Sequence, residues 1–270
     1  MKIMKIEKLI GSIGSEFEAT EIDTLLRRSR SRVDRALKHV RRPDAAVGIV
    51  KSPLGDLLVA MTGRGIVLNH YMLDGDDLAV TIARLRLELD LVDDRRTINE
   101  VGEEIRRYLA GEAKALRQSV EFTLVTSAFQ KKVLHKLQEV PRGAVISYQA
   151  LGAAAGAPKG ARAVGNAMHN NPVPIYVPCH RVIASGGRIG GYGGGIPRKL
   201  QLLRSEGFAL AEAAVRLPDN VVWGHKGTKI YCRGTCRTTA RVDRARILFF
   251  ADAGEAREAG MRSCKICRPD

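Results

Sequence analysis

The sequence predicts an α+β chain in three parts. An N-terminal α/β scaffold domain comes first, then a helical domain built on a helix-turn-helix, then a small cysteine-held C-terminal module. Three observations carry this. β-Branched runs cut by Pro-Leu-Gly-Asp and Thr-Gly-Arg-Gly turns fill residues 46 to 73. Two short apolar helices flank a Gly-Ala-Pro-Lys-Gly turn at 156 to 160. Four of the five cysteines lie at or beyond position 232. The implied boundaries are a helical extension over 1–45, the scaffold over 46–120, the helix-turn-helix domain over 121–212, a connector over 213–228 and the module over 229–270.

Taken in order, Ile22, Leu25, Leu26, Val33, Leu37 and Val40 recur at helical spacing, so residues 20 to 42 read as an amphipathic helix with an arginine-rich outer face. Pro43 closes it. The strand-like stretch from Ala46 to Leu73 suits a small antiparallel sheet. Residues 78–91 and 98–110 return to helical spacing, and this whole N-terminal part reads as scaffold. A helix starts near Ser127, puts Phe129, Val133, Leu134 and Leu137 on one face, and stops at Pro141. The second helix of the pair, about Gly160 to Met168, has little bulk outside Arg162, Val164 and Met168. Small residues let a helix backbone approach a duplex, and they equally let two helices pack closely. A further helix covers Arg198 to Glu206.

Bulk properties bound the function. At 270 residues and 45% hydrophobic content the chain can bury a core. No apolar run approaches the roughly 20 residues that span a bilayer. The N-terminus carries acids and lacks a signal-peptide core. This reads as an intracellular soluble protein with no membrane partner. The formal charge of +15 favours a polyanion, nucleic acid before membrane. Reduced intracellular thiols point to metal binding or chemistry rather than disulfides.

Cys179 stands apart from the other four cysteines, between Pro178 and His180. A free thiol has a pKa near 8.5 and needs a base or a positive environment to react. On an extended chain adjacent side chains diverge, so His180 would reach Cys179 through a water, with Glu206 as the acid that orients it. Prolines 172, 174 and 178 stiffen the approach, and the glycine-rich loop behind offers backbone N–H groups and room for a flat ligand. A buried structural cysteine is the alternative.

The run from Ser147 to Gly207 resembles the active-site domain of the O6-alkylguanine-DNA alkyltransferases. Four segments carry the likeness: Pro178-Cys179-His180-Arg181-Val182, Ala161-Arg162-Ala163-Val164-Gly165, Asn171-Pro172-Val173-Pro174 and Leu202-Leu203-Arg204-Ser205-Glu206-Gly207. The likeness extends over residues 46 to 210. It implies repair of O6-alkylguanine, and of O4-alkylthymine, in double-stranded DNA by a monomer that acts once, in the cytoplasm or with the nucleoid or nuclear DNA. It also implies roles: Cys179 as alkyl acceptor, His180 as base, Glu206 as its orienting acid, Asn171 as hinge and Tyr148 as proton donor to the departing base. Arg162 becomes the finger that fills the emptied stack. Ala161, Gly165 and Met168 lie on the docking helix, and Tyr192, Pro174, Gly190, Gly193 and Gly194 form the base pocket. His169 stands where many relatives carry arginine. The N-terminal zinc site of vertebrate members is absent, since no cysteine precedes Cys179.

In the tail, Cys232 and Cys236, then Cys264 and Cys267, form two close pairs separated by a helix-sized spacer. That pattern points to a four-thiolate zinc site, with dithiol redox pairs or an iron–sulfur cluster as alternatives. So short a segment draws its stability from the metal. The tail resembles the metal domain of the bacterial adaptive-response (Ada) family. In that family the thiolate matching Cys232 accepts a methyl group from a DNA phosphotriester. Here the domain is C-terminal, Gly234 and Ser263 replace the usual prolines, and most of the segment ahead of the first cysteine is expected to be missing. Competing readings are a non-catalytic lesion-binding protein, a helix-turn-helix and zinc regulator, and a cysteine protease. The acceptor cysteine argues against the first. Sequence-specific binding to undamaged DNA would mark the second. A peptide substrate explains neither the charge nor the helix pair.

Overall fold

Runs rich in valine, leucine and isoleucine pair when tight turns bring them face to face, and the first three strands do this. The computed structural model describes residues 42–73, 78–208, 210, 217, 220–234, 236, 238 and 242–269. The amphipathic helix expected over 20–42 lies outside these, apart from Arg42. Strands β1 (Asp44–Ser52), β2 (Gly55–Thr62) and β3 (Gly65–Tyr71) form an antiparallel meander joined by the two expected turns.

Both faces of this sheet are covered, so β2 reads Leu-Leu-Val-Ala rather than alternating. Leu57 and Val59 face helix α2 (Arg95–Leu109), which buries Ile98, Val101 and Ile105. Leu58 and Ala60 pack with Leu85 and Leu89 at the end of helix α1 (Leu78–Glu88). Two expectations change here. The helix expected over 78–91 stops at Glu88, and β4 (Asp90–Val92) pairs in parallel with the free edge of β1. Satisfying that open row of backbone groups outweighs another helical turn. Helix α2 begins at Arg95 rather than 98, because Asp94 caps it by accepting from the Thr97 N–H at 3.1 Å.

Helix α3 (Ala128–Gln138) starts where expected, capped by Ser127. The two-residue strand β5 (Ile146–Ser147) leads into α4 (Tyr148–Ala154), whose cap is Ser147. Helix α5 (Ala161–His169) follows the turn and buries Val164 and Ala167. α4, α5 and α3 pack on one another, which is the helix-turn-helix. Val133, Leu137, Leu151 and Val164 share one core with the first sheet's Leu57 and Val59. Strand β6 (Val182–Ile183) pairs with β5, and α6 (Ile196–Ser205) ends at Glu206.

The C-terminal sheet runs β10-β8-β7-β9, from β7 (Val222–His225), β8 (Ile230–Arg233), β9 (Ile247–Phe250) and β10 (Arg262–Ser263), with α7 (Ala253–Glu258) before the last strand. The connector expected over 213–228 thus contains a central strand. Trp223 of β7 pairs with Cys232 on one side and Phe249 on the other. The module is packed onto the helix-turn-helix. A Cβ at Gly234 would lie 2.9 Å from both the Ala150 Cβ in α4 and the Trp223 Nε1, so only glycine permits this approach. Lys136 of α3 sits 5.9 Å over the Phe249 ring, and the Asn220 side chain accepts the Val145 N–H at 3.0 Å.

Candidate active site and metal site

A cysteine between proline and histidine would diverge from its neighbour on an extended chain. The chain instead tightens into a 3-10 turn over Cys179–Arg181, with the Cys179 carbonyl accepting the Val182 N–H. This corrects the extended geometry expected from sequence: the prolines hold the lead-in while the turn sends His180 and Arg181 inward. Cys179 is 7% exposed and His180 fully buried. Asn171 spans the turn. Its Nδ2 donates to the Val177 carbonyl at 3.0 Å and to the Cys179 Sγ at 3.2 Å, and its Oδ1 accepts the Val173 N–H at 3.1 Å.

Behind the thiol, Glu206 gathers four partners. His180 Nε2 lies 2.8 Å from its Oε1, and the Tyr108 hydroxyl donates to the same oxygen at 2.8 Å. Arg181 donates to both oxygens, and the Gly143 N–H reaches Oε2 at 3.4 Å. Although burial opposes it, this company of His180 and Arg181 holds the Glu206 carboxyl far below the usual range. An ionised carboxylate only accepts, so His180 Nε2 carries the hydrogen. The other ring nitrogen, Nδ1, is buried and takes no protein donor. Burial pushes His180 below its ordinary value against the pull of Glu206, because Arg181 already balances the carboxylate. Burial also pushes the Cys179 thiol up, opposed by the Asn171 donor and the Lys199 charge.

Cys179 opens into a cavity of about 450 Å³, within the range of small-molecule sites, lined also by Tyr148, Gly165, Met168, His169, Gly191, Tyr192 and Gly193. The structure thus brings together Cys179, Tyr148, Gly165, Met168, Tyr192 and Gly193, with His180, Glu206 and Asn171 behind and beside the thiol. Gly190 lies at its edge, where a Cβ would stand 3.4 Å from the Tyr148 ring. Gly194 is buried behind Tyr192. Ala161 and Arg162 are exposed at the start of α5, away from the cavity lining. Pro174 does not line this cavity in the structure: it is buried, and its carbonyl accepts the Asn69 Nδ2 at 2.7 Å. The lead-in is short and must be tied to the sheet, so this proline turns inward.

Sequence reasoning missed several residues that hold the site. Arg181 and Tyr108 lock Glu206, and Asn69 on β3 ties down the 172–174 lead-in through both its N–H and its side chain. Lys199 is fully buried; its Nζ donates to the carbonyls of Val182, Ile189 and Gly191 and so anchors the glycine loop. Burial lowers its pKa to about 8. A lysine on the same helix face as Leu202 and Leu203 is the one signal that could have flagged it.

In the module, parallel pairing of β10 with β8 sets Ser263 against Tyr231, and so carries Cys264 beside Cys232. The thiol sulfurs of Cys232, Cys236, Cys264 and Cys267 all lie within 4.8 Å of one another. A zinc–sulfur distance of about 2.3 Å needs sulfurs about 3.8 Å apart in a tetrahedron, so the set fits zinc with little movement. The Thr238 hydroxyl at 3.0 Å from Cys236 and the Arg233 N–H at 3.4 Å from Cys267 supply outer hydrogen bonds. Zinc bound there would cross-link β8 to the chain end and keep the thiols deprotonated. Cys232 and Cys264 also border an apolar cavity of about 360 Å³.

Known proteins resolve what this chain is similar to. Over 159 residues it is 33% identical to the methylated-DNA–protein-cysteine methyltransferase of Methanosarcina acetivorans, covering 59% of this chain and 96% of that one. The chain belongs to the methylated-DNA–protein-cysteine methyltransferases. The family's reaction is direct repair by alkyl transfer to a cysteine. Residues 128–208 of this methyltransferase match the model of the 6-O-methylguanine DNA methyltransferase DNA binding domain, and residues 209–270 match that of the metal binding domain of Ada. Zinc is therefore its metal. The second match also corrects the expectation of a missing segment: 23 residues ahead of Cys232, including β7, belong to the domain. The human methyltransferase is 55% identical over 86 residues, 32% of this chain and 42% of that one. The bifunctional transcriptional activator and DNA repair enzyme Ada of Escherichia coli is 36% identical over 154 residues, 57% of this chain and 43% of that one. A crystal structure of a single-residue variant of the Mycobacterium tuberculosis O6-methylguanine methyltransferase aligns with TM-score 0.52 at 31% identity, covering 62% of this chain and 96% of that one. Among the described residues no helix is long and apolar enough to cross a membrane.

The site makes the methyltransferase acid-sensitive in a defined direction. The folded state keeps His180 neutral, held below its ordinary value, so below about pH 6.5 the unfolded chain binds a proton the folded one refuses. The depressed Glu206 adds the same imbalance below about pH 4.3. In both cases the unfolded state binds more protons, so stability falls as pH falls. The thermal midpoint is expected to drop between pH 7 and pH 5, as the unfolding free energy falls by up to about 1.4 kcal/mol per pH unit through His180. A midpoint that rises over this window contradicts the assignment.

Proposed function

We propose that the chain repairs O6-alkylguanine in double-stranded DNA, and O4-alkylthymine with it, by one transfer to Cys179. In this reading it works as a monomer, in the cytoplasm or wherever the cell keeps its DNA. The observation that carries it is the Cys179 thiol opening into a cavity between the second helix-turn-helix helix and the glycine loop, with the His180–Glu206 pair behind it.

An alkylated guanine inside a duplex hides its O6 substituent, so the base must leave the stack at a cost of a few kcal/mol. Arg162, exposed in the first turn of α5, fills the hole. Ala161 and Gly165 keep that helix thin enough to lie against the duplex. The base enters between Met168 and the 190–194 loop, with Tyr192 as its wall. His180 takes the Cys179 proton through one water, and Glu206 stabilises the imidazolium that results. The thiolate attacks the alkyl carbon: the S–C bond forms as the C–O6 bond breaks, and that bond's electron pair leaves with the guanine. Tyr148, kept protonated because burial and the nearby Cys179 raise its pKa, gives its proton to the leaving base and is reprotonated from solvent. Asn171 holds the sulfur on line. The thioether product has no leaving group that water can displace, so each molecule acts once.

The test separates the duplex steps from the chemistry. Arg162→Ala is expected to slow transfer from a duplex carrying O6-methylguanine by about tenfold or more, while its rate with the free base O6-methylguanine stays at wild type. An equal fall on both substrates contradicts the finger and the flipping step that it serves.

A further inference from the structure

Strand β3 belongs to a sheet that reads as scaffold, yet two residues on one of its faces hold the active-site domain. Side chains two apart on a strand share a face. Asn69 binds the 172–174 lead-in. Tyr71, 4% exposed, reaches the opposite side of the site: its hydroxyl lies 2.8 Å from the hydroxyl of Tyr192, the cavity wall. The two rings meet edge to face, 6.0 Å between centroids at 67°. Gly194 is pinched against both, since a Cβ there would come within 2.7 Å of the Tyr71 ring and 2.9 Å of the Tyr192 ring. Arg198 closes the assembly. Its guanidinium sits 5.3 Å over the Tyr71 ring, donates to the Gly194 carbonyl at 2.9 Å and also binds the Leu54 carbonyl in the β1–β2 turn.

Tyr192 itself lies on a loop between Gly191 and Gly193, which place no side chain against it. Lys199 ties the carbonyls on one flank, at Ile189 and Gly191, and Arg198 ties the other at Gly194. Among the described residues the Tyr192 hydroxyl is left to a single hydrogen-bond partner, and that partner comes from β3.

We infer that Tyr71 is a positioning residue for alkyl transfer: it fixes Tyr192 from the N-terminal sheet and thereby sets how large an adduct fits between the wall and Cys179. With the hydroxyl bond intact the wall stands still and favours small adducts. Without it Tyr192 can move outward, and bulky adducts gain on small ones. The inference rests on the proposed reading of the cavity as the base pocket.

The experiment measures second-order transfer rate constants, per active molecule by titration of reactive Cys179, for duplexes carrying O6-methylguanine or O6-n-butylguanine. Tyr71→Phe keeps the ring and the fold and removes only the hydroxyl. The butyl-to-methyl ratio is expected to rise about fivefold, the worth of one hydrogen bond. In a Tyr192→Phe background, where the bond is already gone, Tyr71→Phe should leave the ratio unchanged. A ratio within twofold of wild type, or a rise that persists in the Tyr192→Phe background, overturns the inference. A purely structural role would lower both constants together and leave the ratio alone, and so counts against it. Tyr192→Ala separates the two readings. If it leaves both constants at wild type, the cavity is not the base pocket and the proposed function of these walls falls too. If it alters them while Tyr71→Phe does not move the ratio, only the inference about Tyr71 falls.

Discussion

Cys179→Ser is expected to abolish alkyl transfer, lowering the single-turnover rate by a factor on the order of 10⁴ or more while DNA binding persists. The substitution is nearly isosteric. The sulfur accepts from the Asn171 side chain and from backbone N–H groups of the turn, His180 among them, and a hydroxyl can accept the same bonds, so the fold should survive. What is lost is the nucleophile. A thiol shares its proton with a nearby imidazole far more readily than an alcohol does, and sulfur is the softer attacker at a saturated carbon. His180 and Glu206 remain in place, so they would still bind and polarise the serine, but with little anion to release. Transfer of label from an O6-[³H]methylguanine duplex to protein reads the rate directly, and a gel shift reads binding. Measurable transfer at near wild-type rate would place the acceptor elsewhere and undo the assignment of the turn.

The second large effect is removal of zinc. The module's own apolar cluster is small: Val222, Tyr231, Phe250, Ala256 and Met261. The four cysteines bridge β8 and the chain end, and structural zinc contributes on the order of 10 kcal/mol to such folds. Chelation, or Cys264→Ser, is therefore expected to unfold the sheet β7–β10, seen as loss of hydrogen-exchange protection at the amides of Tyr231 and Cys264. The loss should spread to the helix-turn-helix. Trp223 and Phe249 meet edge to face with centroids 5.8 Å apart and belong to the same core as Ala150, Leu151 and Val164, and Gly234 rests on Ala150. Protection in α4 should fall while β1–β3 keep theirs, and added zinc should restore both. Full protection of Tyr231 in the metal-free protein would contradict this account of the module.

What was legible in the sequence follows from what is local. The meander of β1–β3 shows itself because glycine turns cut β-branched runs, α3 because Ser127 caps it, and α4 because the Gly-Ala-Pro-Lys-Gly turn follows it. The four thiolates are legible from spacing alone. Strand β4 is not, because three residues, Asp-Leu-Val, carry no period and its pairing partners lie 46 residues earlier. Strand β7 hides because four residues between a Pro-Asp-Asn turn signal and Lys226-Gly227, with Gly224 among them, carry no clear period, and its pairing neighbours come after it in the chain. The 3-10 turn at Cys179 depends on Asn171 and on the buried Glu206 cluster, contacts that no run of prolines announces. Tyr71 and Asn69 look like ordinary strand residues; their meaning lies in partners more than a hundred positions away. Residues that bear chemistry could be read from motif and resemblance, whereas those that position them could not.

The central claim is irreversible transfer of one carbon group to one sulfur. It is tested most directly by intact and peptide mass spectrometry of the wild-type protein after incubation with a limiting series of O6-methylguanine duplexes. The account predicts lesion loss equal to the amount of active protein, with the mass of one methylene gained on the peptide holding Cys179. Lesions removed in excess of protein, or removed with no mass gained at Cys179, would contradict it.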